Sequence, residues 1–114
     1  MKDKKTTILG IDPGTRITGY GIVQYSSHSV VPIDFGCIRP PLSASLNEKY
    51  AYIFRGVNEL LDRYEIEHFS TETQFLGKNI QSTIKVSMAR AVSILPASNR
   101  LIPVFEYSPK KAKL

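Results

Sequence analysis

Three observations predict an α/β fold built on a mixed five-stranded sheet. Strand-length apolar runs come first: Thr6–Asp12, Thr18–Tyr25 and Val30–Ile38 are separated by short turns, the pattern of an antiparallel meander. Two stretches with apolar residues every three or four positions follow, from about Leu46 to Tyr64 and from about Asn79 to Leu95. Two further strand-like runs, His68–Thr73 and Leu101–Tyr107, lie between and after them. The order is β-β-β-α-β-α-β. Helical crossovers after a meander place the later strands parallel to the first.

Each element has a local reason. Ile8, Leu9 and Ile11 suit a strand buried on both faces, and Asp12 stands where that strand leaves the core. Pro13-Gly14 then breaks it. A carboxylate at such a strand end is either a turn residue or a metal ligand. Ser26–Ser29 is a polar turn into the third strand, and Arg39-Pro40-Pro41 ends that strand because proline cannot donate to a ladder.

Ser43 or Ser45 can cap the first helix. Its stripe is Leu46, Tyr50, Ile53, Phe54, Val57, Leu60, Leu61 and Tyr64. In the second helix Ile80, Ile84, Met88, Ala91, Val92 and Leu95 mark an apolar stripe, with Met88 expected in the core. Its small residues Ser82, Ser87, Ala89, Ala91 and Ser93 permit another helix to approach closely, and Pro96 is expected to stop it. Ser108-Pro109 reads as the cap and first turn of a third helix. Only Lys110–Leu114 follow, so that helix is expected to be incomplete and a partner segment missing.

Composition bounds the class. The 114 residues suit one domain, spanning 1–114, with one core. No apolar run approaches the roughly 20 residues that span a bilayer, and the basic start leads into a run too short for a signal-peptide core. One cysteine, Cys37, excludes an intramolecular disulfide, fits a reducing cytosol, and is expected to be a small buried side chain. The net charge of +5 is uneven: +2 over residues 1–46, −3 over 47–72 and +6 over 73–114. A basic final third suits a polyanion, nucleic acid first. Lys85 and Arg90 belong to it. His28 and His68 have no partner at zinc spacing.

Four motifs in order carry a resemblance: Ile8–Val23 (ILGIDPGTRITGYGIV), Gly36-Cys37-Ile38-Arg39, Glu72 followed by Phe75 and Lys78-Asn79, and Pro103–Tyr107. Together they resemble RuvC, the bacterial Holliday-junction resolvase family, over essentially the whole chain. The resemblance implies a ribonuclease-H-like fold and a homodimer. It also implies magnesium-dependent nicking of two symmetric strands at a four-way DNA junction, with two ions in each complete site, in recombination and repair. The junction-binding and branch-migration proteins RuvA and RuvB are the partners it implies.

By that resemblance Asp12 and Glu72 are catalytic metal ligands, and further acids belong to a C-terminal helix beyond Tyr107 that this sequence lacks. The chain is therefore expected to be inactive or impaired. Phe75 is expected to stack on bases. Arg16, Lys78, Asn79, Lys85, Lys110, Lys111 and Lys113 are expected to contact DNA, with Lys113 at a family position tied to cleavage. Ile80, Ile84, Ser87, Met88 and Ala91 are expected at the dimer interface. Two other readings stay open: a non-catalytic junction-binding or dimerising fragment, and a nucleotide phosphotransferase of the actin-like superfamily.

Overall fold

The computed structural model describes residues 4–73 and 79–107. Its elements are β1 (Thr6–Asp12), β2 (Thr18–Tyr25), β3 (Val30–Ile38), α1 (Leu46–Arg63), β4 (His68–Glu72), α2 (Ile80–Asn99) and β5 (Val104–Tyr107). The sheet order is β3-β2-β1-β4-β5. β1–β2 and β2–β3 are antiparallel, while β1–β4 and β4–β5 are parallel. The mixed sheet expected from the element order is therefore present, with β1 at its centre.

Both helices share one core with one face of the sheet. Leu9, Ile11, Ile22 and Phe69 point into it, met by Ile53, Val57, Leu60 and Leu61 from α1 and by Ala89 and Ala97 from α2. Because side chains alternate along a strand, residues between these point to the opposite face, where Phe35 and Phe105 are exposed. α1 opens with a capping box: Ser45 Oγ accepts from Glu48 N at 3.2 Å, and Glu48 Oε1 accepts from Ser45 N at 2.8 Å. Those bonds, the backbone one first, hold the Glu48 carboxyl below the usual range.

Four expectations are corrected. Pro96 does not stop α2, which runs on to Asn99. Its ring is buried, and tertiary bonds hold the added turn: Arg100 Nη1 donates to Pro96 O at 3.0 Å and to Asn58 Oδ1 at 2.7 Å, and Nη2 pairs with Asp62 at 2.8 Å. Correspondingly, β5 starts at Val104 rather than Leu101. Residues Arg100–Ile102 close the helix instead, Leu101 N and Ile102 N donating to Ser98 O and Ala97 O.

Met88 is not core. It is 46% exposed, with Ile84 and Leu95 similar and Ile80 more so, because α2 buries its small side, Ala89, Ser93 and Ala97, against the rest of the fold. Cys37 is exposed, because its side of β3 carries no helix. Boundaries shift by one residue elsewhere: Tyr64 is the C-cap of α1, and β4 ends at Glu72. The helix start at Ser108-Pro109 lies outside the described residues.

Candidate active site

The candidate site is the row of strand ends at the carboxyl end of β1. Ile11 pairs with Thr71 in the parallel β1–β4 ladder, and both are buried on the helix side. The next residues, Asp12 and Glu72, therefore emerge side by side on the other face, their backbones about 4.8 Å apart as adjacent strands are. Gly19 stands opposite Asp12 in β2, and Tyr107 opposite Glu72 in β5. The row across the sheet reads Gly19, Asp12, Glu72, Tyr107.

The flanks of this row shape it. A β-carbon at Gly19 would lie 3.9 Å from that of Asp12, so a longer side chain there would crowd the carboxylate. On the other side the Tyr107 hydroxyl is pushed above its ordinary pKa, by burial first, then by the negative charge of Glu72 and then of Asp12. Both carboxylates thus lie near enough to Tyr107 for its hydroxyl to feel their charge. Sequence reasoning did not single out Gly19 or Tyr107 as site residues, since only strand register brings them to the acids.

The turn after Asp12 is rigid. Thr18 is fully buried, and its Oγ1 donates to Gly14 O at 2.8 Å and accepts from Gly14 N at 3.2 Å. A β-carbon at Gly14 would meet Ile17 O at 2.5 Å, so only glycine fits. Arg16 sits exposed on this turn.

The other expected site residues divide. Asn79 caps α2, its Oδ1 accepting from Ser82 N at 3.2 Å, and Lys85 is exposed on the same helix. Arg90 is in an ion pair with Glu106 of β5. Ile80, Ile84, Ser87, Met88 and Ala91 are all exposed on one side of α2. Phe75, Lys78, Lys110, Lys111 and Lys113 lie outside the described residues.

Two carboxylates at adjacent strand ends are hard oxygen donors of the kind magnesium takes. Among the described residues no group of three or more acids, histidines or cysteines converges on one point. The donor set fits a metal but does not enclose one.

Fold and site together define a class: a ribonuclease-H-like α/β domain with paired acids at adjacent strand ends. Residues 8–114 match the family described as crossover junction endodeoxyribonuclease RuvC, and the chain belongs to that family. The RuvC of Protochlamydia amoebophila is 49% identical over 107 residues, 94% of this chain and 64% of that relative. The chain thus spans just under two thirds of the length of the curated relatives it matches. The structure of T. thermophilus RuvC in complex with Holliday junction substrate superposes with a TM-score of 0.85 at 24% identity, covering 95% of this chain and 68% of that one. The Aquifex aeolicus PPX-GPPA enzyme has the same fold at a TM-score of 0.55 and 12% identity, over 95% of this chain and 38% of that one. The fold alone therefore does not choose a reaction.

Proposed function

We propose that this chain provides the core of a junction-resolving endonuclease, one that nicks symmetric strands of four-way DNA with magnesium as a homodimer. The observation that carries this is the parallel register that sets Asp12 beside Glu72. Phosphodiester hydrolysis needs an activated water and a stabilised leaving oxygen, which two magnesium ions roughly 4 Å apart supply when bound. Asp12, at the central strand end, and Glu72 beside it are the residues that would hold the metal. The open position at Gly19 leaves room for the scissile phosphate, and the rigid Gly14–Thr18 turn holds Asp12 in place.

DNA is held by Arg16, Lys78, Asn79, Lys85, Lys110, Lys111 and Lys113, with Phe75 stacking on bases beside the metal. The exposed side of α2, from Ile80 through Ile84, Ser87, Met88 and Ala91, pairs with a second copy, so that two sites face two equivalent strands. RuvA and RuvB are the partners this reading gives it, in the cytoplasm.

A second reading has its own support. Two convergent carboxylates hold metal weakly, so this chain is expected to bind junctions better than it cuts them. The phosphotransferase reading has less, because the other Asp-x-Gly of the sequence, Asp34-Phe35-Gly36, lies within strand β3 and not in a turn.

Binding and nicking of a synthetic four-way junction, first without and then with magnesium, separate the three. Tight binding without cutting favours the binding fragment, symmetric nicks favour the endonuclease, and ATP binding without DNA binding favours the phosphotransferase. Asp12→Asn should weaken magnesium binding by more than about tenfold, read by calorimetric titration, and remove residual nicking while sparing junction affinity. Loss of junction affinity as severe as the loss of nicking would make Asp12 structural.

A further inference from the structure

The segment 47–72 is net acidic in sequence, yet its folded surface contains a basic groove. The groove, about 280 Å³, runs between α1 and the end of edge strand β3 and is flanked by Arg39, Arg55 and Arg63. Arg55, Glu59 and Arg63 are four residues apart, so they form one row along the helix. Arg39, just after β3, lines the same groove. Two close approaches shape the groove. A β-carbon at Gly56 would come within 2.9 Å of the Ile38 side chain, and one at Gly36 within 2.9 Å of the Tyr20 hydroxyl, so glycine at each position admits its neighbour.

The acids of this segment are engaged elsewhere. Glu48 caps α1, Asp62 pairs with Arg100, Glu67 accepts from Thr7 N, and Glu72 belongs to the active-site row. Glu65 lines a different depression, beside Lys5. Asp34, beneath the Arg63 end, accepts the Tyr64 hydroxyl at 2.7 Å and the Tyr20 hydroxyl at 3.5 Å. Among the described residues Glu59 is the acid that lines the groove with the three exposed guanidiniums, Asp34 lies near Arg63, and none of the three arginines is ion-paired.

We propose that this groove binds successive backbone phosphates of a nucleic-acid arm, as a contact separate from the acidic row. Arg55 and Arg63 are about 12 Å apart along the helix axis, a spacing that suits a chain of phosphates rather than a single one. Planar guanidiniums bind phosphate bidentately. The groove reaches the strand row that carries the acids: Cys37 of β3, one of its lining residues, pairs with Gly19, which pairs with Asp12. That places the backbone of Cys37 about 10 Å from that of Asp12, two strand spacings away. The proposal rests on the nucleic-acid reading above.

The test is the salt dependence of binding, without metal, to a plain duplex and to a four-way junction. For the double variant Arg55→Gln/Arg63→Gln the slope of log affinity against log salt should become shallower by about 1.8, as two lost phosphate contacts require, with affinity weaker by on the order of tenfold at 0.1 M salt. Arg55→Lys/Arg63→Lys should restore most of the slope, which separates charge from folding. Glu59→Gln should bind more tightly than wild type. An unchanged slope in the double variant, or no gain in Glu59→Gln, overturns the proposal. So does wild-type affinity for inorganic phosphate that the double variant loses while its DNA slope is intact. The duplex separates this proposal from the junction reading. A slope that falls on duplex without junction preference keeps the groove and fails the resolvase; junction nicking with an unchanged slope does the reverse.

Discussion

α1 and α2 are of similar length, 18 and 20 residues, and use their apolar residues in opposite ways. α1 turns its large side chains inward: Ile53 and Val57 are fully buried, and Leu60 and Leu61 nearly so. α2 turns inward Ala89, Ser93 and Ala97, and leaves Ile80, Ile84, Met88 and Leu95 in the open. The small inward side lets α2 lie close against α1, and Ser93 returns its hydroxyl to Ala89 O at 2.7 Å, which removes the cost of burying it. A stripe of large apolar residues marks the side of a helix that seeks a partner. Whether that partner is the chain's own sheet is a separate question, which the two helices answer differently.

The largest test of this contrast is a pair of truncations. Ile53→Ala should cost about 2–5 kcal/mol of unfolding free energy, read by urea denaturation, whereas Ile84→Ala in the monomer should stay within about 0.5 kcal/mol. Equal losses in a protein shown to be monomeric would mean that the exposed side of α2 is core after all.

The next test addresses assembly. Ile84→Lys/Met88→Lys should leave the thermal midpoint of the monomer unchanged and shift sedimentation from dimer to monomer. If dimers persist at the same concentration, the second copy docks elsewhere.

The smallest effect is at the far end of α2. Leu101 is 90% exposed and takes a left-handed φ of 59° where a helix ending of this kind favours glycine. Leu101→Gly should therefore stabilise the fold by about 1 kcal/mol. A loss would show that the leucine makes a contact of its own.

Much of the candidate strand-end row was legible because its parts are local. The Asp12-Pro13-Gly14 sequence announces a strand that ends in an acid and turns, and the turn geometry bears this out through Gly14 and Thr18. Glu72 could be placed near the end of the His68–Thr73 run, and the family resemblance singled it out. Tyr107 and Gly19 could not be assigned to the site, because their place depends on which residue of one strand lies beside which residue of another. Pro96 misled for a related reason. Its missing N–H argues for a helix end, yet Arg100 reaches across to Asn58 and Asp62 and holds one more turn than local rules allow.

Charge shows the same divide. Counting along the chain makes residues 47–72 acidic, while folding engages most of those acids in caps, pairs and the strand-end row and leaves Arg55 and Arg63 lining one groove with Arg39.

By itself the sequence determined the element order, the mixed sheet, the turn that holds Asp12 and the family to which the chain belongs. These follow from periodicity, turn chemistry and motifs, which act over a few residues. Only the tertiary structure decided that Asp12 and Glu72 stand together, which side of α2 is buried, and where the basic groove opens. Each of those depends on register and packing between segments distant in the chain, and no local pattern specifies them.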